Sequence, residues 1–138
     1  MNGTIATETT GAVTGGMRTL LRLEGLTLFA GMTLLYAVWD GSWWLYAILF
    51  LVPDLSFVAY LAGQRIGAII YNTAHSYMAP VALMTTGFAL ASPLVLSIAM
   101  IWMAHIGIDR ALGYGLKYSA GFSHTHLGRI GKDTTKTA

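Results

Sequence analysis

The sequence predicts an all-α fold: a bundle of four transmembrane helices in two helical hairpins, with both termini in the cytoplasm. Three observations carry this. Of the 138 residues, 55% are hydrophobic and 10% charged, with a mean hydropathy of +0.61, a balance that cannot cover a water-facing surface. Four apolar segments follow one another, each near the ~20 residues that a helix rising ~1.5 Å per residue needs to cross ~30 Å of hydrocarbon. Finally, all eight Lys and Arg residues fall on one side of that arrangement, which the positive-inside rule makes cytoplasmic.

Residues 1 to 19 read as a disordered tail, rich in Thr, Gly and Ala with no apolar period. The first helix, about 20 to 38, follows Arg18 and Arg22, carries Glu24 near its start and lacks an A-x-A exit, so it reads as retained rather than as a cleaved signal. Asp40-Gly41-Ser42 is a turn flanked by Trp39, Trp43 and Trp44, whose half-polar rings favour the headgroup level. The second helix, about 43 to 62, contains Pro53 and Asp54, and the short polar link Gly63-Gln64-Arg65 leads to the third, about 66 to 88. Ser92 and Pro93 open the fourth, about 92 to 116. Arg18, Arg22, Arg65, Arg110, Lys117, Arg129, Lys132 and Lys136 then share one face, giving four crossings and, in a bacterium, a multi-pass protein of the inner membrane.

Composition also excludes functions. With no cysteine there is no disulfide scaffold, thiolate zinc site or cysteine nucleophile, which leaves His and carboxylate as metal ligands. A formal charge of +2 does not suggest nucleic acid. Gly113-Tyr114-Gly115-Leu116-Lys117 lacks the phosphate-loop spacing and no strand precedes it.

Ionisable residues at membrane depth need a partner, a cavity or a function. Asp54 is placed ~16 Å below the outer end of the second helix, His75 ~15 Å above Arg65, and His105 and Asp109 ~20 and ~26 Å from the outer end of the fourth. All fall in the inner half of the bilayer. Asn72 and His75 share a polar, small-residue stripe with Arg65, and His105 and Asp109 are four apart on one face. Two imidazoles and two carboxylates match the ligands of zinc, manganese or non-haem iron. The bland readings are interfacial ion pairing for Glu24, Asp109 and Arg110, and a hydrogen-bonded core imidazole for His75. Gly107, Ala111 and Gly115 form a second stripe suited to close helix approach, within the bundle or against a second copy or partner membrane protein. The segment from Ser119 to Gly131 is too glycine-rich for a helix yet apolar at Phe122, Leu127 and Ile130, so it is expected either to fold back and bring a histidine to the site or to remain a mobile basic tail.

The strings Leu21-Arg22-Leu23-Glu24, Ser42-Trp43-Trp44, Pro53-Asp54-Leu55-Ser56, Tyr71-Asn72 with His75 and Tyr77, and the run Ala104 to Tyr118 resemble a family of small bacterial four-span proteins known as a domain of unknown function. The resemblance extends through Gly121-Phe122 and Thr125-His126-Leu127-Gly128 and covers roughly residues 20 to 131. It implies no activity, and it favours His126 over His124 as a ligand or cap.

Two functions are expected from these residues. One is a metal-dependent hydrolase of a membrane lipid or amphiphile, with His75, His105, Asp54, Asp109 and His126 as metal ligands, a carboxylate from Asp54 or Asp109 as general base, and Arg110 or Arg65 for a head-group charge. Ser56 is a weak nucleophile candidate. The alternative is a non-catalytic protein: a metal, proton or small-ligand binder, or a structural subunit of a membrane complex. No internal repeat of the transporter kind is visible.

Overall fold

Each of the three prolines in the chain opens a helix, and two of them end the helix before it. The computed structural model describes residues 13–117 and 124–129, and α1 spans Gly15–Val38 with Thr14 extended before it. The helix thus starts five residues earlier than the start expected at about 20, and residues 1–12 lie outside the described residues. Asp40, at φ 54, turns the chain into α2, Trp43–Phe50. The Tyr36 hydroxyl closes that turn by donating to the Ser42 carbonyl at 2.7 Å.

The segment expected as one helix over 43 to 62 changes type midway. After α2 it continues as a 3-10 helix, Val52–Ala62, with Pro53 in its first turn, because a proline there lacks the N–H that would continue the α-helix and its ring crowds the carbonyl four residues back. The segment expected as one helix over 66 to 88 is two: α3, Gln64–Ala74, and α4, Met78–Ala89. The cause is Pro80, which sits in the first turn of α4, where a missing N–H is harmless, and is incompatible with helical backbone around Ser76.

α5 runs Pro93–Leu112 and ends on Gly113 at φ +91, four residues short of the expected 116. Left-handed backbone at this position closes the helix, with Tyr114 N–H donating to the Asp109 carbonyl at 2.7 Å. The C-terminal segment contributes a small antiparallel hairpin, β1 (His124–Thr125) and β2 (Gly128–Arg129), with Lys117 bridging to Thr125. His126 N–H donates to Leu116 O at 2.9 Å and Val13 N–H donates to His126 O at 2.8 Å, so these residues fold back on the end of α5. The rest of the expected tail, 118–123 and 130–138, lies outside the described residues.

α5 is the central helix, packed by α1, α2 and α4, while the 3-10 helix packs on α3. α1 and α5 touch backbone to backbone: a Cβ on Gly107 would lie 2.7 Å from Gly25 O and from Phe29 N. The Gly107 and Ala111 stripe is therefore filled within the chain, and Gly115 lies against His126 and Leu127 of the hairpin, where an intermolecular contact was also open. Three stretches, Gly15–Val38, Trp43–Ala62 and Pro93–Leu112, are long and apolar enough to cross a membrane. Large apolar side chains such as Leu34, Val38, Ile48 and Leu61 stay exposed on the outside of the bundle.

Candidate metal centre

The two interruptions meet beside α5. Asp54 comes from the first turn of the 3-10 helix, His75 is the residue that ends α3, and His105 and Asp109 lie one turn apart on α5. One nitrogen or oxygen from each lies within 4.8 Å of all the others. His75 Nε2 is 3.2 Å from His105 Nε2, 3.6 Å from Asp54 Oδ1 and 3.4 Å from Asp109 Oδ2. His105 Nε2 is 3.3 Å from each of the same two oxygens. A tetrahedral ion with ligands at about 2.0–2.2 Å separates its ligand atoms by about 3.3–3.6 Å, so the five separations are close to tetrahedral edges. The cluster can hold a metal ion.

The imidazoles are prepared for that role. Nδ1 of His75 lies 3.0 Å from the Tyr71 carbonyl; a proton there donates to that oxygen and leaves the Nε2 lone pair facing the cluster, as in outer-shell support of histidine ligands. The His75 ring stacks on Tyr71 with centroids 3.9 Å apart, and the His105 ring meets Phe50 edge to face at 5.1 Å. Nδ1 of His105 is buried and faces the Phe50 backbone without a well-formed hydrogen bond. Pro53 has no N–H and Asp54 N–H donates to Leu51, so the Phe50 carbonyl has lost both of its usual helical donors. Both histidines are buried, whereas the Asp54 side chain is 40% exposed and that of Asp109 16%. Access to the cluster is from the Asp54 side.

The break after α3 would leave carbonyls unpaired, and side chains take them. Trp102 Nε1 donates to Ala74 O at 2.7 Å and the Arg110 guanidinium donates to His75 O at 2.9 Å and Tyr114 O at 3.3 Å. Asn72 clamps the Lys117 backbone from both sides, donating to its carbonyl at 2.7 Å and accepting its N–H at 2.6 Å. The Lys117 ammonium lies 4.8 Å from the Tyr71 ring centroid, and burial, partly opposed by the Asp109 carboxylate, pulls its pKa down to about 8.

Four of the expected ligands therefore converge and the fifth does not. His126 lies apart from the cluster: its Nδ1 accepts the Leu116 N–H at 2.8 Å, and burial, reinforced by the Arg110 charge, lowers its pKa. Arg110, expected to hold a head-group charge, braces the His75 backbone. Glu24, Tyr77, Arg110 and His126 line a separate cavity of about 400 Å³, and Arg65 is exposed at the start of α3. Ser56 lines an apolar cavity of about 230 Å³ with Pro53, Ala74 and Trp102, one residue from two of the ligands, and its hydroxyl is buried without a hydrogen bond. Sequence reasoning missed Trp102, Phe50 and Lys117 as supports. The spacing of Tyr71 four residues before His75 is the signal in the sequence that could have pointed to a partner.

Among the strings that carried the resemblance, those around Asp54, Tyr71 to His75 and Ala104 to Lys117 sit on the cluster and its braces, and Leu21 to Glu24 lies on α1. The chain belongs to the DUF4260 family. The family model, a domain of unknown function, matches residues 18–130, which take in all four converging residues of this DUF4260 chain, its helical core and the hairpin. No curated protein and no solved structure matches the chain.

Proposed function

We propose that this DUF4260 protein is a four-span protein of the bacterial inner membrane, termini inside, that holds one divalent zinc, manganese or iron ion at the cytoplasmic leaflet and hydrolyses an ester or phosphoryl bond of an amphiphile. The observation that supports it most is the set of near-tetrahedral separations among His75, His105, Asp54 and Asp109. The broken α3–α4 pair supplies the fourth crossing, with its interruption turned onto the cluster rather than toward lipid, the setting in which non-helical backbone is tolerated at depth. A bound ion of this class supplies Lewis acidity and an acidified water. His75, His105 and Asp109 would hold such an ion with the two-histidine, one-carboxylate set of catalytic zinc sites, and Asp54, the most exposed of the four, would be the carboxylate that accepts a proton.

A second reading, a non-catalytic metal or ligand binder, is favoured by the same count: four protein donors complete a tetrahedron and leave no open position. Elemental analysis of tag-free protein beside His105→Ala tests the site, with near one ion per chain expected in the first and none in the second. No metal in either after incubation with these ions overturns the proposal. Asp54→Asn separates the readings: a base lost without loss of metal supports hydrolysis, and metal lost with Asp54 supports a closed binding site.

A further inference from the structure

Interfacial ion pairing was the bland reading of Glu24 and Arg110. They instead face the same cavity of about 400 Å³, and among the described residues no ion pair joins them. The α1 wall carries the carboxylate of Glu24 together with Leu21 and Leu28, and the wall from α5, the α3–α4 break and the hairpin carries Arg110, Tyr77 and His126. Opposite charges held apart across a cavity within the size range of ligand sites are complementary to a zwitterion.

The donors on the basic wall are accounted for. Arg110 commits NH1 and NH2 bonds to Tyr114 O and His75 O and also interacts with the Tyr77 side chain, which leaves the remainder of its five N–H groups for a ligand. Because His126 Nδ1 accepts from Leu116 N–H, the neutral ring carries its proton on Nε2 and is a donor there. Glu24 offers an acceptor only. A quaternary ammonium is recognised by several aromatic faces, and among the described residues of the lining Tyr77 is the only phenyl, phenol or indole ring, so a primary ammonium that can donate to Glu24 is the better match. Leu21 and Leu28 beside the carboxylate place apolar surface where acyl chains leave a head group.

We propose that this cavity is a lipid site, binding the head group of a phospholipid with a primary ammonium, with Glu24 taking the ammonium and Arg110, Tyr77 and His126 the phosphate. The inference does not rest on the metal centre, which uses other side chains.

The test is lipid retention by the tag-free full chain, measured by native mass spectrometry after exchange into vesicles containing equal phosphatidylethanolamine and phosphatidylglycerol. The wild type is expected to retain phosphatidylethanolamine about tenfold better, the factor that one charge-assisted hydrogen bond supplies. Glu24→Gln is expected to lose that preference, and Leu21→Trp, which fills the cavity, to retain less of both lipids, each with metal content and helicity unchanged. Equal retention of the two lipids by the wild type, or a preference that survives Glu24→Gln, overturns the proposal. Undiminished retention in Leu21→Trp overturns it as well. Free phosphoethanolamine at equal concentration is expected not to displace the lipid; displacement would replace the lipid with a soluble phosphate ester of an amino alcohol.

Discussion

Single and double removal of the two imidazoles decides whether one ion is shared. Because both Nε2 atoms and two carboxylate oxygens enclose one point at separations of 3.2 to 3.6 Å, His75→Ala and His105→Ala each remove a ligand of the same ion, and their effects on metal-dependent stability cannot add. At zinc a hundredfold above Kd, binding stabilises the wild type by about 2.7 kcal/mol, which at about 3 °C per kcal/mol for a chain of this length raises Tm by roughly 8 °C. Losing an outer-shell partner alone weakens binding by up to about a hundredfold. A ligand loss of at least that size brings zinc at the same concentration to Kd or below, where RT ln 2 leaves about 0.4 kcal/mol, or roughly 1 °C. The double variant therefore has at most that last degree to lose. The assay is thermal unfolding of detergent-purified, tag-free protein followed by tryptophan emission; Trp102, bonded to the carbonyl beside His75, reports on the site. A single variant that keeps half or more of the zinc shift would refute the shared ion and leave two independently acting histidines as the explanation.

Three further outcomes follow from the packing. Lys117 is buried with its pKa lowered from 10.5 to about 8, so between those values the unfolded chain binds more protons than the folded one and stability rises with pH; Lys117→Met should abolish that rise in a pH series of melts across the same window. Gly107→Ala places a methyl group 2.7 Å from Gly25 O and Phe29 N, forcing α1 from α5 at about 1–3 kcal/mol, whereas Gly31→Ala on α1 meets nothing within 4 Å and should melt no lower than the wild type. Asn72→Ala removes both bonds to the Lys117 backbone and should destabilise by about 1–3 kcal/mol, with amide exchange at Lys117 accelerating more than exchange within α5.

The long apolar helices were legible because their signals are additive: runs of apolar residues, the Asp40-Gly41-Ser42 turn, and Pro93 after Ser92. The pairing of His105 with Asp109 was legible because four residues on one helix must share a face, and Asp54 stood out beside Pro53. The break at His75 was not read, although Pro80 announced it, because a proline acts on the carbonyl four residues upstream and its effect falls away from its own position. His126 was misplaced for a different reason. Its partners, Leu116 and Val13, are set by hairpin register and chain return, which no local periodicity encodes.

The two breaks and the uninterrupted helix α5 beside them form one device. Interrupting a helix at membrane depth exposes carbonyls that lipid cannot satisfy, at several kcal/mol each, and the chain breaks two neighbouring segments where uninterrupted helices would avoid that cost. At the second break the freed oxygens are taken by residues that also shape the site, Ala74 O by Trp102 and His75 O by Arg110, while Tyr71 O keeps its bond from the His75 N–H and also faces His75 Nδ1. At the first, the Phe50 backbone faces His105. A regular α-helix would put His75 in register with Asn72 and Ala79 on one stripe; ending α3 at His75 frees its ring to stack on Tyr71 and turn Nε2 toward α5. The irregular backbone is what lets donors from three segments meet within 4.8 Å, and a purely structural bundle has no need of it. Replacing Pro80 with Ala should let α3 and α4 join, raising helical content by circular dichroism while metal binding falls. A variant that gains helix yet binds zinc as tightly would show that the break does not serve the site.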